Sequence, residues 1–185
     1  MLCWLWLSTA PPRGAASRAF LLLGFAFAAF WNFGYLIKSG LTDQGDWAFV
    51  IAGLKPAPLW HALITVAGIA LYWASLRLLA SMMRRHLGSD EATDWSPLAF
   101  SLVAYGAATA IACAGAYFDP RGPATILSDA LPSSLGAVGL PLAGALVSRT
   151  SPGLRLAVPS SVTWIAAGAV AGNAFVALLG PGLRV

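Results

Sequence analysis

The densest group of side chains able to do chemistry follows the first long apolar run of this chain. It combines an amide, a phenol, an amine, two carboxylates and an indole, which can exchange hydrogen bonds and protons. The spacing itself favours a solvated loop between two helices, with its tryptophan at the membrane interface. The members of this polar cluster are Asn32, Tyr35, Lys38, Asp43, Asp46 and Trp47.

His61 is the second candidate, and Ala57 precedes it by four residues. A histidine with a small residue at that spacing can ligate a haem or a chlorophyll-type pigment in a membrane helix, which would make a tetrapyrrole the cofactor. The alternative is a histidine that hydrogen-bonds in the headgroup layer. The other histidine, His86, follows Arg84 and Arg85, and we expect it to belong to a basic patch.

Isolated polar residues within or beside apolar runs also need an explanation. Asn32 lies inside the first run, where a buried amide needs a hydrogen-bond partner. It either bonds across to another helix or points at a site. Asp119 and Asp129 flank a proline- and glycine-rich loop, and we expect both to be turn or cap residues. Asp129 could instead face a polar cavity with Ser133 and Ser134.

Complete catalytic motifs are missing from the sequence. There is no His-Glu-x-x-His pair, no G-x-S-x-G elbow and no phosphate-cradling glycine loop. A catalytic zinc normally needs three protein ligands, which this pattern does not supply. No basic run with interleaved aromatic residues occurs, so nucleic acid is not an expected partner. The sequence therefore favours a protein that is not an enzyme.

Composition points to lipid as the solvent. The chain has 185 residues, of which 58% are apolar and only 10% are charged. That is too little charge to coat a soluble domain of this size, whose surface would carry about 25–35% charged residues. We therefore predict one all-α domain over residues 1–185, a polytopic transmembrane helical bundle in contact with the lipid bilayer.

Five apolar runs approach the roughly 20 residues that a spanning helix needs. Ser96 and Pro97 form a helix start before the third run. Pro141 should kink the fourth, and if that run does not span, four spans remain. The predicted spans are residues 19–37, 59–79, 97–118, 131–147 and 162–179.

Arginine and lysine positions predict the orientation of the bundle. If the N-terminus is cytoplasmic, the cytoplasmic segments hold seven of the eleven basic residues. Five spans then place the C-terminus outside, and we expect the bacterial inner membrane. Residues 1–10 are interpreted as an interfacial stub or the tail of a lost upstream helix. Most tryptophans lie near span ends, whereas Trp73 is expected to pack within the bundle.

Small residues recur every four positions in two of the predicted spans. This spacing lets helix backbones approach closely, which drives association where lipid offers no hydrophobic gain. It predicts packed helices and favours other membrane protein subunits as partners. The residues are Gly106, Ala110 and Ala114 in the third span, and Gly168 and Gly172 in the fifth.

Three short segments lie close together in the sequence, namely Asn-Phe-Gly-Tyr at 32–35, Ser-Gly at 39–40 and Gly-Asp-Trp-Ala at 45–48. Together they resemble stretches of uncharacterised bacterial multi-pass membrane proteins that are similar to site-2-protease-like zinc metallopeptidases. The resemblance implies that Asp46 is a zinc ligand and that Asn32 lies near the metal. The helix that should carry His-Glu-x-x-His is missing, which implies a shortened relative without activity or a shared scaffold alone.

Three functional hypotheses follow from these patterns. The first is a non-catalytic accessory or scaffolding subunit of a larger membrane complex. The second is a degenerate or truncated membrane zinc metallopeptidase relative that retains Asp46. The third is a pigment- or haem-binding membrane subunit that uses His61.

Overall fold

The computed structural model of the protein describes residues 14–89, 95–158 and 162–179. The interpretation of residues 1–10 lies outside these ranges. Within them, the chain forms helices joined by short connections, together with one pair of very short strands. The elements are α1 (Ala15–Thr42), α2 (Asp46–Ile51), α3 (Ala57–Leu87), β1 (Gly88–Ser89), α4 (Pro97–Tyr117), a π-helical turn (Ile126–Ala130), α5 (Leu131–Gly136), α6 (Gly139–Thr150), β2 (Arg155–Leu156) and α7 (Val162–Leu179).

The all-α bundle predicted from composition is confirmed. Four helical stretches of the described chain are long and apolar enough to cross a bilayer, namely α1, α3, α4 and the run Ile126–Thr150. The run over the predicted fourth span is therefore one of the four, despite its prolines. Helix α7 has the bounds of the predicted fifth span, and its described apolar stretch, Ile165–Ala174, is shorter than the other four.

Helices α1 and α3 form the most extensive packing pair of the described bundle. They run antiparallel, because Gly40 near the end of α1 faces His61 near the start of α3. Further along, Gly68 of α3 packs against Ile37 of α1. Both helices are longer than the predicted spans, so their ends extend beyond the roughly 30 Å thick hydrocarbon layer.

The hydrophobic core lies between α1, α3 and α6, towards the end of the bundle where α3 finishes. It is built from aliphatic, aromatic and methionine side chains that are almost completely buried. Packing of this kind supplies van der Waals contact in a membrane, where the hydrophobic effect between helices is absent. The central members are Leu22, Phe30, Leu79, Met83, Leu140 and Val147.

A short antiparallel strand pair closes the same end of the bundle. Gly88 pairs with Leu156 and Ser89 pairs with Arg155. Leu156 also bonds through its backbone N–H to the Trp95 carbonyl, at 2.8 Å. This pairing was not predicted from the sequence, because two-residue strands leave no periodic pattern.

The start of helix α4 matches its sequence signal. The Ser96 hydroxyl accepts a hydrogen bond from the Ala99 N–H at 3.2 Å, and Pro97 occupies the first turn. Serine at this position satisfies one of the free N–H groups of the first helical turn. The predicted N-cap is therefore confirmed.

The fourth spanning run is interrupted ahead of Pro141. Helix α5 ends at Gly136 and α6 begins at Gly139. A proline ring clashes with the carbonyl four residues before it, here that of Ala137, and provides no N–H to bond it. The Ala137 carbonyl instead accepts from the Leu140 N–H at 3.0 Å, which tightens the helix locally. The kink expected from Pro141 therefore lies between α5 and α6.

Tyr72, in the middle of helix α3, bridges this interruption. Its hydroxyl donates to the Gly136 carbonyl at 3.0 Å and accepts from the Gly139 N–H at 2.7 Å. One side chain thus supplies both the donor and the acceptor that the broken helix lacks. In hydrocarbon, backbone groups left without partners would cost several kcal/mol each.

Two glycines outside the predicted four-residue repeats also set helix spacing. A Cβ on Gly34 of α1 would lie 3.0 Å from the Gly136 Cα of α5, so the two backbones are in direct contact. Similarly, Gly144 of α6 lies against the start of α4, beside the Pro97 carbonyl and the Ser101 side chain. These contacts hold the broken helix against both of its neighbours.

Trp73 does not pack within the bundle, and that expectation is wrong. Its side chain is 60% exposed on the outer surface of α3. The Arg77 guanidinium lies over its ring, 5.1 Å from the centroid. The adjacent Tyr72 takes the inward position instead, because successive helical residues point about 100° apart.

We predict that Tyr72→Phe lowers the free energy of unfolding by about 1–3 kcal/mol, because the Gly136 carbonyl and the Gly139 N–H lose their partner. Tyr117→Phe is the control, since that ring is 57% exposed at the end of α4 and the loss of its hydroxyl should have little effect. Denaturant titration of both variants in detergent micelles measures the difference. Equal stability of the two variants would contradict this role for Tyr72.

Candidate functional site

The polar cluster folds around a tight reversal between helices α1 and α2. Asp43 ends α1 in the left-handed conformation with φ 53°, and Gly45 follows with φ 90° and ψ −179°. Aspartate tolerates the left-handed region better than most residues, and the second conformation is essentially restricted to glycine. The short helix α2 thereby returns towards the side of α1.

Tyr35 connects the two helices across this reversal. Its hydroxyl oxygen accepts a hydrogen bond from the Asp46 N–H at 3.1 Å, which gives the first turn of α2 a partner. Ser39, one turn later in α1, is fully buried, and its hydroxyl has no hydrogen-bond partner among the described residues. A Cβ on Gly45 would collide with the Tyr35 hydroxyl and lie 3.2 Å from the Ser39 Oγ. The reversal is therefore packed tightly against α1.

His61 joins this region from helix α3. Its Nδ1 lies 3.2 Å from the Gly40 carbonyl oxygen, and its Nε2 lies 3.5 Å from Asp43 Oδ1. With its Nδ1–H donated to Gly40, the ring has a defined tautomer when neutral. On the other side of the ring, Nε2 faces the Asp43 carboxylate, which can form an ion pair only with a protonated ring. The ring therefore links the start of α3 to the end of α1.

The structure thus brings together some of the predicted residues and separates others. Asp43 and His61 meet, and Tyr35 contacts the backbone of Asp46. The carboxylate of Asp46 and the ring of Trp47 are exposed instead. Among the residues that the structure describes, no three His, Cys, Asp or Glu side chains are grouped closely enough to hold a metal ion.

Asn32 takes neither of the two roles considered for it. Its side-chain N–H donates to the Ala28 carbonyl of its own helix at 2.7 Å. Asn173 does the same with Ala169 in α7, at 2.8 Å. A carbonyl four residues earlier is always within reach of a short polar side chain, so the amide satisfies its donor without a second helix.

A cleft of about 590 Å³ lies next to the cluster, between α1, α3 and α5. Its α1 wall presents Trp31, Tyr35 and Lys38, and Tyr72 contributes from α3. Tyr35 therefore belongs both to the reversal and to this cleft. The positions 31, 34, 35 and 38 share one face of a helix, a signal that the sequence contained. The opposing wall, formed by the broken helix, had no such signal.

A second cleft, of about 350 Å³, lies on the other side of α5. It is almost wholly apolar and is formed by α1, α4 and α5. Trp31 and Ser133 border both clefts. The predicted polar cavity with Ser133 and Ser134 is therefore largely apolar, and the Ser134 hydroxyl donates to the Ala130 carbonyl at 2.8 Å.

Asp129 does not face that cavity, and this alternative is wrong. It pairs with Arg121, whose Nη2 lies 2.8 Å from Asp129 Oδ2 and 3.0 Å from Asp119 Oδ2. Asp119 also accepts from the Arg121 N–H at 2.8 Å, which confirms its predicted role as a turn residue. The long, cationic Arg121 side chain draws both acids to the loop and away from the bundle.

Hydrogen bonds from the Arg121 side chain and backbone lower the pKa of Asp119 below its usual value. A carboxyl group whose pKa is depressed in the folded state stabilises the fold above its unfolded pKa. That contribution is lost as the pH falls through the folded pKa. Because the group is exposed to solvent, the contribution is small.

The predicted small-residue positions also differ in their surroundings. Gly172 of α7 packs on α4, where a Cβ would lie 3.0 Å from the Ile111 Cδ1. Gly106 and Gly168 have open space at the corresponding position, with no atom within 4 Å. Ala110 is exposed and Ala114 is half-buried. Of the predicted glycines, Gly172 therefore contacts another helix of the described chain, whereas Gly106 and Gly168 face open space.

Comparison with protein-family models, curated proteins and solved structures finds no match for this chain.

We predict that Tyr35→Phe detaches helix α2 from α1, because the Asp46 N–H loses its acceptor. Amide hydrogen exchange over Asp46–Ile51 should become roughly two- to tenfold faster. Tyr117→Phe is the control, since that ring is 57% exposed and distant along the chain. Unchanged exchange over α2 in Tyr35→Phe would contradict the role of this hydrogen bond.

Proposed function

We propose that the protein is a non-catalytic, multi-pass membrane subunit that supports a larger membrane complex. In this proposal it associates with its partners through the open small-residue surface of α4 and α7. The single observation that carries the proposal is the contrast between two sets of glycines. Those at 34 and 144 lie against neighbouring helices, whereas Gly106 and Gly168 meet no atom.

Hydrocarbon chains are as apolar as leucine, so helices gain contact energy mainly where their backbones can approach closely. Gly106 and Ala110 are exposed on α4, one turn apart. A second helix laid on them would reach the backbone of α4, which no larger side chain there would permit. A helix with small residues of its own is the expected partner.

Helix α7 extends the same surface. It packs on α4 through Gly172 and Ile111, and its residues from Ile165 to Ala171 are all exposed. The described connections between helices are short, so little of the described chain lies outside the membrane-spanning elements. A surface within the membrane is therefore the main one available to a partner.

The same proposal includes an orientation. The basic segments near the ends of α3 and α6 meet at the end of the bundle that carries the strand pair. Since arginine-rich segments are retained on the cytoplasmic side, that end faces the cytoplasm of a bacterial inner membrane. The N-terminus is then inside and, with α7 as a fifth span, the C-terminus is outside. A C-terminal reporter fusion that is active only in the cytoplasm would contradict this orientation.

A second candidate function is a haem- or pigment-binding subunit that uses His61. The observation in its favour is the Nδ1 contact with the Gly40 carbonyl, since ligating histidines commonly donate their other ring N–H to such a partner. Asp43, 3.5 Å from Nε2, would have to move aside. An absorption band that is lost in His61→Ala would support this candidate, and a colourless native preparation would contradict it.

The metallopeptidase hypothesis has less support from the described residues. Its zinc ligand, Asp46, is exposed, and no further acid, cysteine or histidine forms a group of three with it. A catalytic zinc site requires three protein ligands, so the described donors do not fit one. Asp43 and His61 together provide two.

We predict that Gly106→Leu releases the partner subunits, because the leucine fills the space that a partner helix needs. Replacing glycine in a helix by leucine should not weaken the fold. Ala74→Leu, an equally exposed small-to-large change on α3, is the control and should keep the complex intact. The mass of the complex purified in mild detergent measures the effect. A wild-type protein that purifies as a lone monomer would contradict the proposal.

A further inference from the structure

A polar cleft lies at the cytoplasmic-facing end of the proposed orientation, between the last turns of α3 and α6. Its volume is about 260 Å³, and it differs from the two larger clefts in being mainly polar. Helix α3 contributes two arginines seven residues apart, a spacing that places them on one side of the helix. The lining residues are Arg77, Ala80, Arg84, Leu146, Thr150 and Ser151.

Neutral groups, not carboxylates, hold the two arginines in place. Arg84 Nη1 donates to the Thr150 hydroxyl at 3.2 Å, and that hydroxyl donates in turn to the Leu146 carbonyl at 2.8 Å. The Arg77 guanidinium lies over the Trp73 ring. In the described part of the chain, the arginine–carboxylate pairs are those of Arg121 at the other end. The two positive charges of the cleft are therefore uncompensated by described residues.

Apolar surface continues from the cleft towards the middle of the bundle. On α3, Trp73 lies one turn before Arg77 and is 60% exposed. On α6, Leu142 lies one turn before Leu146 and is 49% exposed. Because α3 and α6 both end at the cleft, these side chains lie deeper in the membrane than the arginines. The site thus has a cationic upper part and an apolar lower part.

We propose that this cleft binds the phosphate group of an anionic phospholipid, with an acyl chain lying along Trp73 and Leu142. Guanidinium groups bind phosphate oxygens through paired, charge-assisted hydrogen bonds. Basic pockets between spanning helices on the cytoplasmic side suit such headgroups. The Ser151 hydroxyl adds a neutral donor. A zwitterionic headgroup fits less well, because its cationic part would meet both arginines.

The test uses the full chain in mild detergent, titrated with phosphatidylglycerol, with phosphatidylcholine and with inorganic phosphate, and followed by native mass spectrometry. Phosphatidylglycerol should bind in preference to phosphatidylcholine. Arg77→Gln and Arg84→Gln should each weaken it about tenfold, the effect of losing one charge-assisted contact. The matched control is Arg85→Gln, an exposed arginine next to Arg84 that does not line the cleft.

Several results would overturn the proposal. These are equal binding of the two lipids, an equal loss in Arg85→Gln, or binding of inorganic phosphate with the same arginine dependence but no binding of phosphatidylglycerol. A measurement on the wild-type chain avoids any folding defect of the variants. Raising the salt from about 50 mM to about 500 mM should weaken phosphatidylglycerol binding and leave phosphatidylcholine unaffected. An unchanged lipid preference at high salt would also contradict it.

Discussion

Hydrocarbon offers no hydrogen bonds, so every interruption of a helix in this bundle needs a donor or an acceptor from the protein itself. The largest interruption lies between α5 and α6, and Tyr72 serves both of its free backbone groups. A similar device closes the turn after α4, where the Thr125 hydroxyl lies 2.8 Å from the carbonyls of both Ala116 and Gly122. At both places a single side chain thus satisfies backbone groups that have left the regular helix.

The broken helix, through α5, borders two of the three clefts. Because α5 is short and its backbone touches α1 at Gly34, it leaves space on both sides. The space towards α3 is bordered by Tyr35 and Lys38, and it connects with the reversal that carries Asp43 and His61. The two larger of these clefts in the described chain therefore lie on either side of this interrupted segment.

Among the described residues, charged groups are divided unequally between the two ends of the bundle. The described acidic residues lie at the end that carries Asp43 and Asp119, where Arg121 pairs with Asp119 and Asp129, whereas Asp90, Glu91 and Asp94 lie outside the described residues. The other end carries arginines held by neutral partners, such as Arg84 on Thr150. This asymmetry is what a membrane with an anionic cytoplasmic surface would favour. The end that carries these arginines is both the proposed cytoplasmic end of the bundle and the location of the proposed lipid site.

Much of the helical architecture could be predicted from the sequence, and the polar contacts between distant segments could not. Apolar run length and the Ser96–Pro97 signal predicted helices, because both are local properties. Tyr72 could not be recognised, since its partners lie more than sixty residues away in a segment whose break follows from Pro141. Asn32 bonds to a carbonyl of its own helix, and only the cavity alternative for Asp129 was wrong, because Arg121 reaches that carboxylate across an irregular loop.

Glycine repeats in the sequence did not show which helix each glycine would contact. A four-residue repeat predicts that a helix face is suited to close packing, and it does not say whether the neighbour belongs to the same chain. Here Gly172 has a neighbour within the chain and Gly106 has none. Gly34 and Gly144, which also set helix spacing, show no such repeat. Their importance follows from the helix crossing positions, which only the folded structure provides.

The central claim is that the helices of this bundle span a lipid bilayer. Alkaline extraction of membranes followed by ultracentrifugation tests it most directly. High pH strips peripheral proteins from the bilayer and leaves spanning helices embedded. We expect the full chain to stay in the membrane pellet until detergent is added. Recovery of the chain in the detergent-free supernatant as a folded, monodisperse protein would contradict the account.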